Sequence, residues 1–133
     1  MKKIVFIVLI FVTSLSYCQT KKYFNYLDSG WNKKRLGDYR GAIMDYSKAI
    51  QLNPNVKNGA YYNRGVCKEN LKDHIGAIAD YTKAIQLDSE DSEAYYNRGN
   101  CKLMLNQKNS ACLDWSKSGD NDDAYEMIKK YCN

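Results

Sequence analysis

Cysteine is the residue type that bears most directly on chemistry in this 133-residue chain. No two cysteines form the CxxC motif of thioredoxin-like exchange, and His74 is the single histidine. The chain has neither a glycine-rich phosphate loop nor a serine nucleophile elbow. We therefore expect a protein that is not an enzyme and that holds no metal and no cofactor. The five cysteines are Cys18, Cys67, Cys101, Cys112 and Cys132.

An internal repeat supplies the framework that must position these residues. Residues 61–68 read YYNRGVCK and residues 95–102 read YYNRGNCK, so seven of eight positions recur at an offset of 34. A second match, between GAIMDYSKAIQL from Gly41 and GAIADYTKAIQL from Gly76, recurs at an offset of 35. Repeats of this length predict a stacked array and shift the functional question from catalysis to surface recognition.

Each unit has the periodicity of two helices. Apolar residues of the 42–50 segment fall at steps of three and four, as on one face of a helix. Asp38 and Asp73 precede such stretches as N-caps, and Gly37 and Asn106 occupy turns that tolerate positive φ. The pattern predicts three helical pairs and a capping helix, over residues 23–36 and 39–52, 58–71 and 74–87, 92–105 and 108–118, and 122–131.

These units resemble the tetratricopeptide repeat family, whose 34-residue pattern carries an aromatic, Gly, Ala, an aromatic, Ala and Pro at fixed offsets. The resemblance implies an all-α, TPR-like alpha-alpha superhelix, a solenoid of helical hairpins over residues 19–133 with repeats at 23–57, 58–91 and 92–125. The third unit departs from the pattern at Ser118 and Gly119, which predicts a shortened last helix. The matching residues are Tyr26, Gly30, Ala42, Tyr46, Ala49 and Pro54, then Tyr61, Gly65, Ala77, Tyr81 and Ala84, then Tyr95, Gly99, Ala111 and Trp115.

Packing accounts for most of these residues. The repeat glycines are expected to face the first matching alanine across each hairpin, and the large aromatics Tyr46, Tyr81 and Trp115 to fill the wider spaces between pairs. Arg64 and Arg98 stand one residue before a repeat glycine. We expect them to bridge neighbouring units by pairing with acids such as Asp80 and Asp114.

The resemblance also implies a concave groove lined by the first helix of each pair. Its tyrosines and tryptophan offer rigid contact area, while asparagine bonds both donors and acceptors of a peptide backbone. This composition predicts a protein or peptide ligand; the alternative that Tyr62 and Tyr96 only pack between repeats stays open. The implied groove residues are Phe24, Leu27, Asp28, Trp31, Gly59, Tyr62, Asn63, Val66, Glu93, Tyr96, Asn97 and Asn100.

Two ligand classes are excluded by the residues at groove positions. Family members that bind chaperone C-termini use a clamp of Lys, Asn, Asn, Lys and Arg, and only Asn63 matches it here. The corresponding residues are otherwise Leu27, Trp31, Glu93 and Asn97. Nucleic acid is excluded because acidic side chains, Glu93 among them, lie in the predicted groove instead of a basic lining.

The four cysteines other than Cys18 divide into two pairs. Cys67 and Cys101 hold the same position in successive units and are expected to be buried thiols. Cys112 and Cys132 bracket the final hairpin, so antiparallel helices would bring them together as a disulfide that staples the capping helix. The rival pairing is Cys101 with Cys112. Thiol-redox activity at Cys112 and Cys132 remains an alternative function.

The N-terminus has the layout of a secretory signal. Lys2 and Lys3 precede the apolar residues 4–12, which are too few to span a bilayer, and smaller residues follow. We predict a signal peptide over residues 1–18, cleaved after Cys18, and export of a bacterial protein to the periplasm, cell envelope or extracellular space. Two alternatives stay open: lipidation of Cys18, the one case in which a membrane would be a partner, and a retained anchor.

Charge is unevenly distributed along the chain. Removing the signal lowers the net charge from +5 to +3, which does not by itself argue for nucleic acid. Residues 20–72 carry eleven Lys or Arg and four acids, whereas residues 73–133 carry seven and eleven. We therefore predict a protein-binding module of the cell envelope or secreted space, with structural self-association through oppositely charged ends as the alternative.

Overall fold

The computed structural model describes the backbone of residues 2–55 and 59–132 and the side chains of residues 16–55 and 59–132. The regular structure within these residues is entirely helical, as predicted. Three antiparallel helical hairpins stack on one another, and a seventh helix closes the C-terminal end. The helices are α1 (Lys2–Arg35), α2 (Tyr39–Leu52), α3 (Ala60–Asn70), α4 (His74–Leu87), α5 (Ser92–Met104), α6 (Lys108–Lys117) and α7 (Asp122–Tyr131).

The predicted start of the first helix at residue 23 is wrong. Helix α1 begins at Lys2 and continues without a break to Arg35, because neither glycine nor proline interrupts the chain before Gly30. The apolar residues 4–12 therefore lie on the same helix as the first repeat. Within the described part of the chain, no helix is long and apolar enough to cross a membrane.

The other predicted helices agree with the structure to within one residue at the described ends. Helices α2, α4 and α7 have the predicted bounds, and α1, α3, α5 and α6 end one residue early. The predicted start of α3 at residue 58 lies outside the described residues. The helix begins at Ala60, after Gly59 with φ 76°.

Caps and turns follow the local sequence. The Asp38 and Asp73 carboxylates each accept a hydrogen bond of 2.9 Å, from the backbone N–H of Gly41 and Gly76, so both predicted N-caps are confirmed. Gly37 and Asn106 have φ of 82° and 59°, as predicted. The equivalent turn of the second repeat holds Lys72 at φ 65°, a left-handed conformation that the sequence analysis did not foresee.

Glycine and aromatic side chains, not glycine and alanine, make the closest approach inside each hairpin. A Cβ atom at Gly65 would lie 2.8 Å from Cε1 of Tyr81, and all three of its nearest neighbours belong to that ring. Gly30 meets Tyr46 and Gly99 meets Trp115 in the same way. The predicted contact of glycine with alanine is therefore corrected, because the flat ring needs the space that a missing Cβ leaves.

The aromatic rings also reach the next repeat, as expected. Tyr81 packs with Ala94 and Cys101 of the third unit, and Tyr46 packs with Cys67 of the second. At the C-terminal end Trp115 packs with Ala124 of α7. Each ring therefore joins its own hairpin to the following element.

Buried carboxylates bind successive repeats together. Arg64 donates two hydrogen bonds to Asp80, at 2.9 and 2.7 Å, and a third of 2.9 Å to Ser47 in the preceding unit. Lys68 approaches the same carboxylate to 2.8 Å. The predicted role of Arg64 as a bridge between units is confirmed.

The third repeat copies this arrangement and the first repeat modifies it. Arg98 pairs with Asp114 and donates to Thr82 of the preceding unit at 3.0 Å. In the first unit Ser29 stands at the arginine position, so Asp45 accepts from Ser29 and Lys33, both at 2.6 Å. Asp45 was not among the residues predicted from the sequence to bridge the repeats.

The two ends of the stack differ from its interior. Asn25 and Asn32 are exposed on α1 at the positions where α3 buries Ala60 and Cys67. This outer face of α1 is therefore polar where an inner repeat would be apolar. At the other end α7 buries Ala124 and exposes acidic and basic side chains, so it closes the stack as predicted.

Candidate functional site

The candidate site is the concave groove formed by the first helix of each hairpin. Helix α3 lies between α1 and α5 and contacts both. Helix α7 continues the row beyond α5, since Asn121 at its start hydrogen-bonds Glu93 at the start of α5 at 3.4 Å. The groove surface is therefore contributed by four helices, including the capping helix.

The first repeat presents the most exposed aromatic side chains of the groove. Phe24 is 53% exposed and Trp31 is 51% exposed, and Asp28 is exposed between them in the sequence. The Arg35 guanidinium lies 5.3 Å from the centre of the Trp31 ring. Leu27 is half-buried against the core of the first hairpin. This part of the groove offers open aromatic area to a ligand.

The second repeat uses its groove residues partly for internal contacts. The Tyr62 hydroxyl accepts a hydrogen bond of 3.0 Å from Asn97, and its ring centre lies 5.8 Å from that of Tyr81. Burial, reinforced by the negative charge of Glu93, raises the pKa of Tyr62. Val66 is half-buried against the core. Tyr62 therefore both packs between repeats and remains accessible at the groove surface.

Asn63 and Asn100 are engaged by neighbours within the chain. The Asn63 carbonyl oxygen accepts from Lys34 and its amide donates to the Gly59 carbonyl at 2.9 Å. Asn100 accepts a hydrogen bond of 3.1 Å from the Trp115 indole. A peptide backbone would have to share or displace these bonds. The prediction that these amides bind ligand stays a prediction.

The predicted groove continues into a pocket that the sequence analysis missed. A cavity of about 340 Å³ opens between α5, α7 and the turn that joins α3 to α4. We call this cavity the α7 pocket. Its unpredicted residues lie on the last turns of α3 and α5, in the turn between α3 and α4, at the start of α4 and on the capping helix, beyond the four groove positions per unit that were predicted. The lining includes Lys72, Tyr96, Leu103, Met104, Met127 and Tyr131.

The cysteines lie away from the open part of the groove. Cys67 and Cys101 are buried free thiols, as predicted. Burial raises the pKa of Cys67 to about 11, and burial together with the negative charge of Glu69 raises the pKa of Cys101 to about 12. Neither thiol has the depressed pKa of a reactive cysteine.

Cys112 and Cys132 are brought together, with Cα atoms 5.8 Å apart, a separation that suits a disulfide. The rival pairing of Cys112 with Cys101 is not adopted, since Cys101 lies buried as a free thiol. Cys18 is exposed on α1. Among the described side chains, no group of three His, Cys, Asp or Glu residues is arranged to hold a metal ion.

Comparison with known proteins places these features in a family context. Models of the tetratricopeptide repeat match residues 25–56, 59–91 and 80–113. No curated protein sequence matches the chain.

Solved structures share the fold. The Arabidopsis OM64 TPR domain has a TM-score of 0.81 at 23% identity, covering 86% of this chain and 97% of that one. The first TPR of Spaghetti (RPAP3), bound to the HSP90 peptide SRMEEVD, has a TM-score of 0.79 at 23% identity, covering 84% and 91%. The MamA protein has a TM-score of 0.75 at 25% identity, covering 84% and 64%.

Proposed function

Because this chain belongs to the tetratricopeptide repeat family, we propose that it is a non-enzymatic module that binds a protein or peptide segment in its concave groove. The observation that carries this proposal is the open aromatic surface of the first repeat, where Phe24 and Trp31 are each about half exposed. Aromatic side chains of this kind dominate binding energy in protein interfaces. Proteins of similar fold bind peptides, as in the first TPR of Spaghetti (RPAP3) with the HSP90 peptide SRMEEVD.

The partner that we propose is not a chaperone C-terminus. Although several structural neighbours carry HSP90 or HSP70 peptides, their likeness to this chain is at the level of the fold. The positions that would supply a carboxylate clamp hold Leu27, Trp31, Glu93 and Asn97 beside Asn63. The acid Glu93 is exposed in this groove and would repel a terminal carboxylate.

Photo-crosslinking tests groove binding. A photoreactive residue at Phe24, irradiated in cells that produce the protein, is expected to capture a discrete partner, and Trp31→Ala is expected to abolish capture without unfolding the domain. A photoreactive residue at Met44 is the matched control, because Met44 is 62% exposed on α2, the second helix of the same hairpin, and lies outside the groove. Equal capture from both positions, or none from Phe24, would overturn the proposal.

We further propose that the protein is exported and acts in the periplasm, cell envelope or extracellular space. The support is the basic and apolar layout of residues 1–18. Intact mass and N-terminal sequencing of the protein from fractionated cells distinguish the outcomes. A mature start at Gln19 supports cleavage, an acylated Cys18 supports a lipoprotein, and an intact chain in the cytoplasm contradicts export.

The disulfide between Cys112 and Cys132 belongs to the same proposal. An oxidising compartment would permit the bridge, and the two residues are in place to form it. The bridge would hold the short α7 helix against α6 and keep the C-terminal end of the groove intact. This structural role accounts for the pair without a thiol-redox activity.

Self-association by continued stacking is less well supported than groove binding. An added unit would have to bury Asn25 and Asn32 on the outer face of α1, and buried amides without partners are costly. At the other end α7 already covers the third hairpin. The polar outer face of α1 and the covered face of the third hairpin therefore both disfavour the stacking of a second copy on this one.

A further inference from the structure

The α7 pocket opens beside the groove between α5 and α7, and its chemistry indicates what it binds. Tyr96, Leu103 and Met104 come from α5, and Met127 and Tyr131 come from the capping helix. Met104 is 62% exposed, so an apolar surface remains uncovered beside the cavity. The pocket is continuous with the proposed peptide groove because Tyr96 belongs to both.

The size and lining of the pocket suit one bulky aromatic side chain. Its volume of about 340 Å³ lies at the small end of the range for ligand pockets, about 300 to 1,000 Å³. Two methionines line it, and thioether sulfur is polarisable and makes favourable contacts with aromatic rings. The rings of Tyr96 and Tyr131 provide further aromatic packing surfaces. A small aliphatic side chain would leave much of this surface uncovered.

The charged residues that line the pocket indicate which kind of ligand residue would lie next to the aromatic side chain. Glu69 lines the pocket on α3, where it is half-buried and its carboxylate accepts a hydrogen bond of 2.7 Å from the Tyr81 hydroxyl. Lys72 also lines the pocket and is exposed. It stands in a left-handed turn where the first repeat has Gly37 and the third has Asn106. Lys72 therefore offers an ammonium group to an acidic residue of a ligand.

We propose that the α7 pocket anchors an aromatic side chain of the bound segment, and that an acidic residue next to this anchor pairs with Lys72. The inference rests on the proposed function, since it names the recognition chemistry of the same groove. It adds α7 to the binding surface. The partner is thereby described as a segment with an aromatic residue beside a carboxylate.

Methyl NMR on the full chain tests this inference. The chain has four methionines, of which Met104 and Met127 line the pocket. Met44 on α2 does not line it and is as exposed as Met104, at 62%, so it is an internal control. The probe is N-acetyl-aspartyl-tryptophan amide, titrated into protein carrying ¹³C-labelled methionine methyl groups.

Saturable shifts of the Met104 and Met127 methyls are expected, with a dissociation constant on the order of 1 mM for so small a probe, while the Met44 methyl stays unshifted. N-acetyl-aspartyl-alanine amide should bind at least about tenfold more weakly. Lys72→Glu should weaken binding of the acidic probe several-fold and leave N-acetyl-tryptophan amide unaffected, because only the first carries a carboxylate.

The inference fails if Met44 shifts as much as Met104, or if the alanine probe binds as well as the tryptophan probe. If Lys72→Glu binds the acidic probe as tightly as the wild type does, the proposed pairing of Lys72 with an acidic residue is wrong. These failures are distinguishable from failure of the proposed function. If a partner is captured from Phe24 but the Met104 and Met127 methyl signals do not shift, groove binding is supported and the proposal for the α7 pocket is wrong.

Discussion

Asp114 shows how a buried charge ties one repeat to the next. Its side chain is 5% exposed, and it meets Arg98 and Lys102, each at 2.7 Å. Removing one partner from such a cluster leaves uncompensated charge in a poorly solvated site. Arg98 also reaches Thr82 of the preceding unit, so the loss would be felt across two repeats.

Asp114→Ala is therefore expected to lower the free energy of unfolding by about 3 to 5 kcal/mol. Urea denaturation followed by circular dichroism measures the change. Asp120→Ala is the matched control, because Asp120 is exposed between α6 and α7. A loss of the same small size in both variants would show that the cluster contributes little.

Asp45 should make stability depend on pH. Although its burial by itself raises the pKa, hydrogen bonds from Lys33 and Ser29 outweigh burial and hold the pKa of this carboxyl below its usual value. A folded pKa below the unfolded value of about 3.9 stabilises the fold above that pH, and the contribution is lost as pH falls through the folded pKa.

The difference in unfolding free energy between the wild type and Asp45→Asn is thus expected to be constant from pH 7 to about pH 5 and to shrink below about pH 4. Urea titrations at each pH measure it. A difference that persists undiminished at pH 3 would contradict the assignment of the stabilisation to the ionised carboxylate.

The alanine positions inside the hairpins have little spare volume. Ala77 is fully buried on α4, whereas Ala79 is exposed two residues further along. Ala77→Leu is expected to destabilise the protein by about 1 to 3 kcal/mol through overpacking. Ala79→Leu adds the same side chain on the same helix and should change stability by less than about 0.5 kcal/mol. Similar effects at both positions in urea denaturation would show that the hairpin tolerates added volume.

At the scale of the element, α7 is the short helix that the proposed disulfide between Cys112 and Cys132 would hold in place. It has ten residues, its one fully buried residue is Ala124, and it packs on α6 of the third hairpin. Cys112 and Cys132 are 20 residues apart in the sequence. A bridge that closes a loop of this length stabilises by roughly 3 kcal/mol in the chain-entropy model.

Cys132→Ser is therefore expected to increase hydrogen exchange in α7 while α3 and α4 keep their protection. Mass spectrometry of peptides from the exchanged protein localises the change. Ser110→Ala serves as the control, since Ser110 is exposed on α6, and it should leave α7 unchanged. Unaltered protection of α7 in Cys132→Ser would show that apolar packing alone holds the helix.

At the scale of the whole molecule, α1 presents a polar outer face at one end of the described stack. Asn25 and Asn32 replace the small apolar residues that inner repeats bury at these positions. We expect the domain to be monomeric at micromolar concentration, and we expect its sedimentation coefficient to be insensitive to salt. Electrostatic pairing of oppositely charged ends would instead weaken as ionic strength rises.

The double variant Asn25→Ala, Asn32→Val should expose an apolar face and produce dimers in sedimentation velocity. Asn109→Ala with Ser110→Val is the matched control, because these residues are exposed on α6, away from the outer face of α1. If the wild type associates in a salt-sensitive way, or if the double variant does not associate, then Asn25 and Asn32 are not what prevents association through the outer face of α1.

The sequence by itself determined much of the local structure. Apolar residues at helical spacing predicted α2, α4 and α7 with their observed bounds, and Asp38 and Asp73 were correctly predicted as N-caps. These features depend on residues within one or two turns of each other. The repeat offset further determined that the hairpins stack, because a hairpin with two apolar faces cannot bury both alone.

Only the tertiary structure decided which groove residues remain available. Tyr62 and Asn97 are 35 residues apart, and the Asn97 amide donates a hydrogen bond to the Tyr62 hydroxyl from one helix to another. The residues next to either one in the sequence do not predict that contact. The ring of Tyr81 lies on Gly65, and α7 adds Met127 and Tyr131 to the pocket. Such contacts depend on the distance and rotation between packed helices, which local periodicity does not encode.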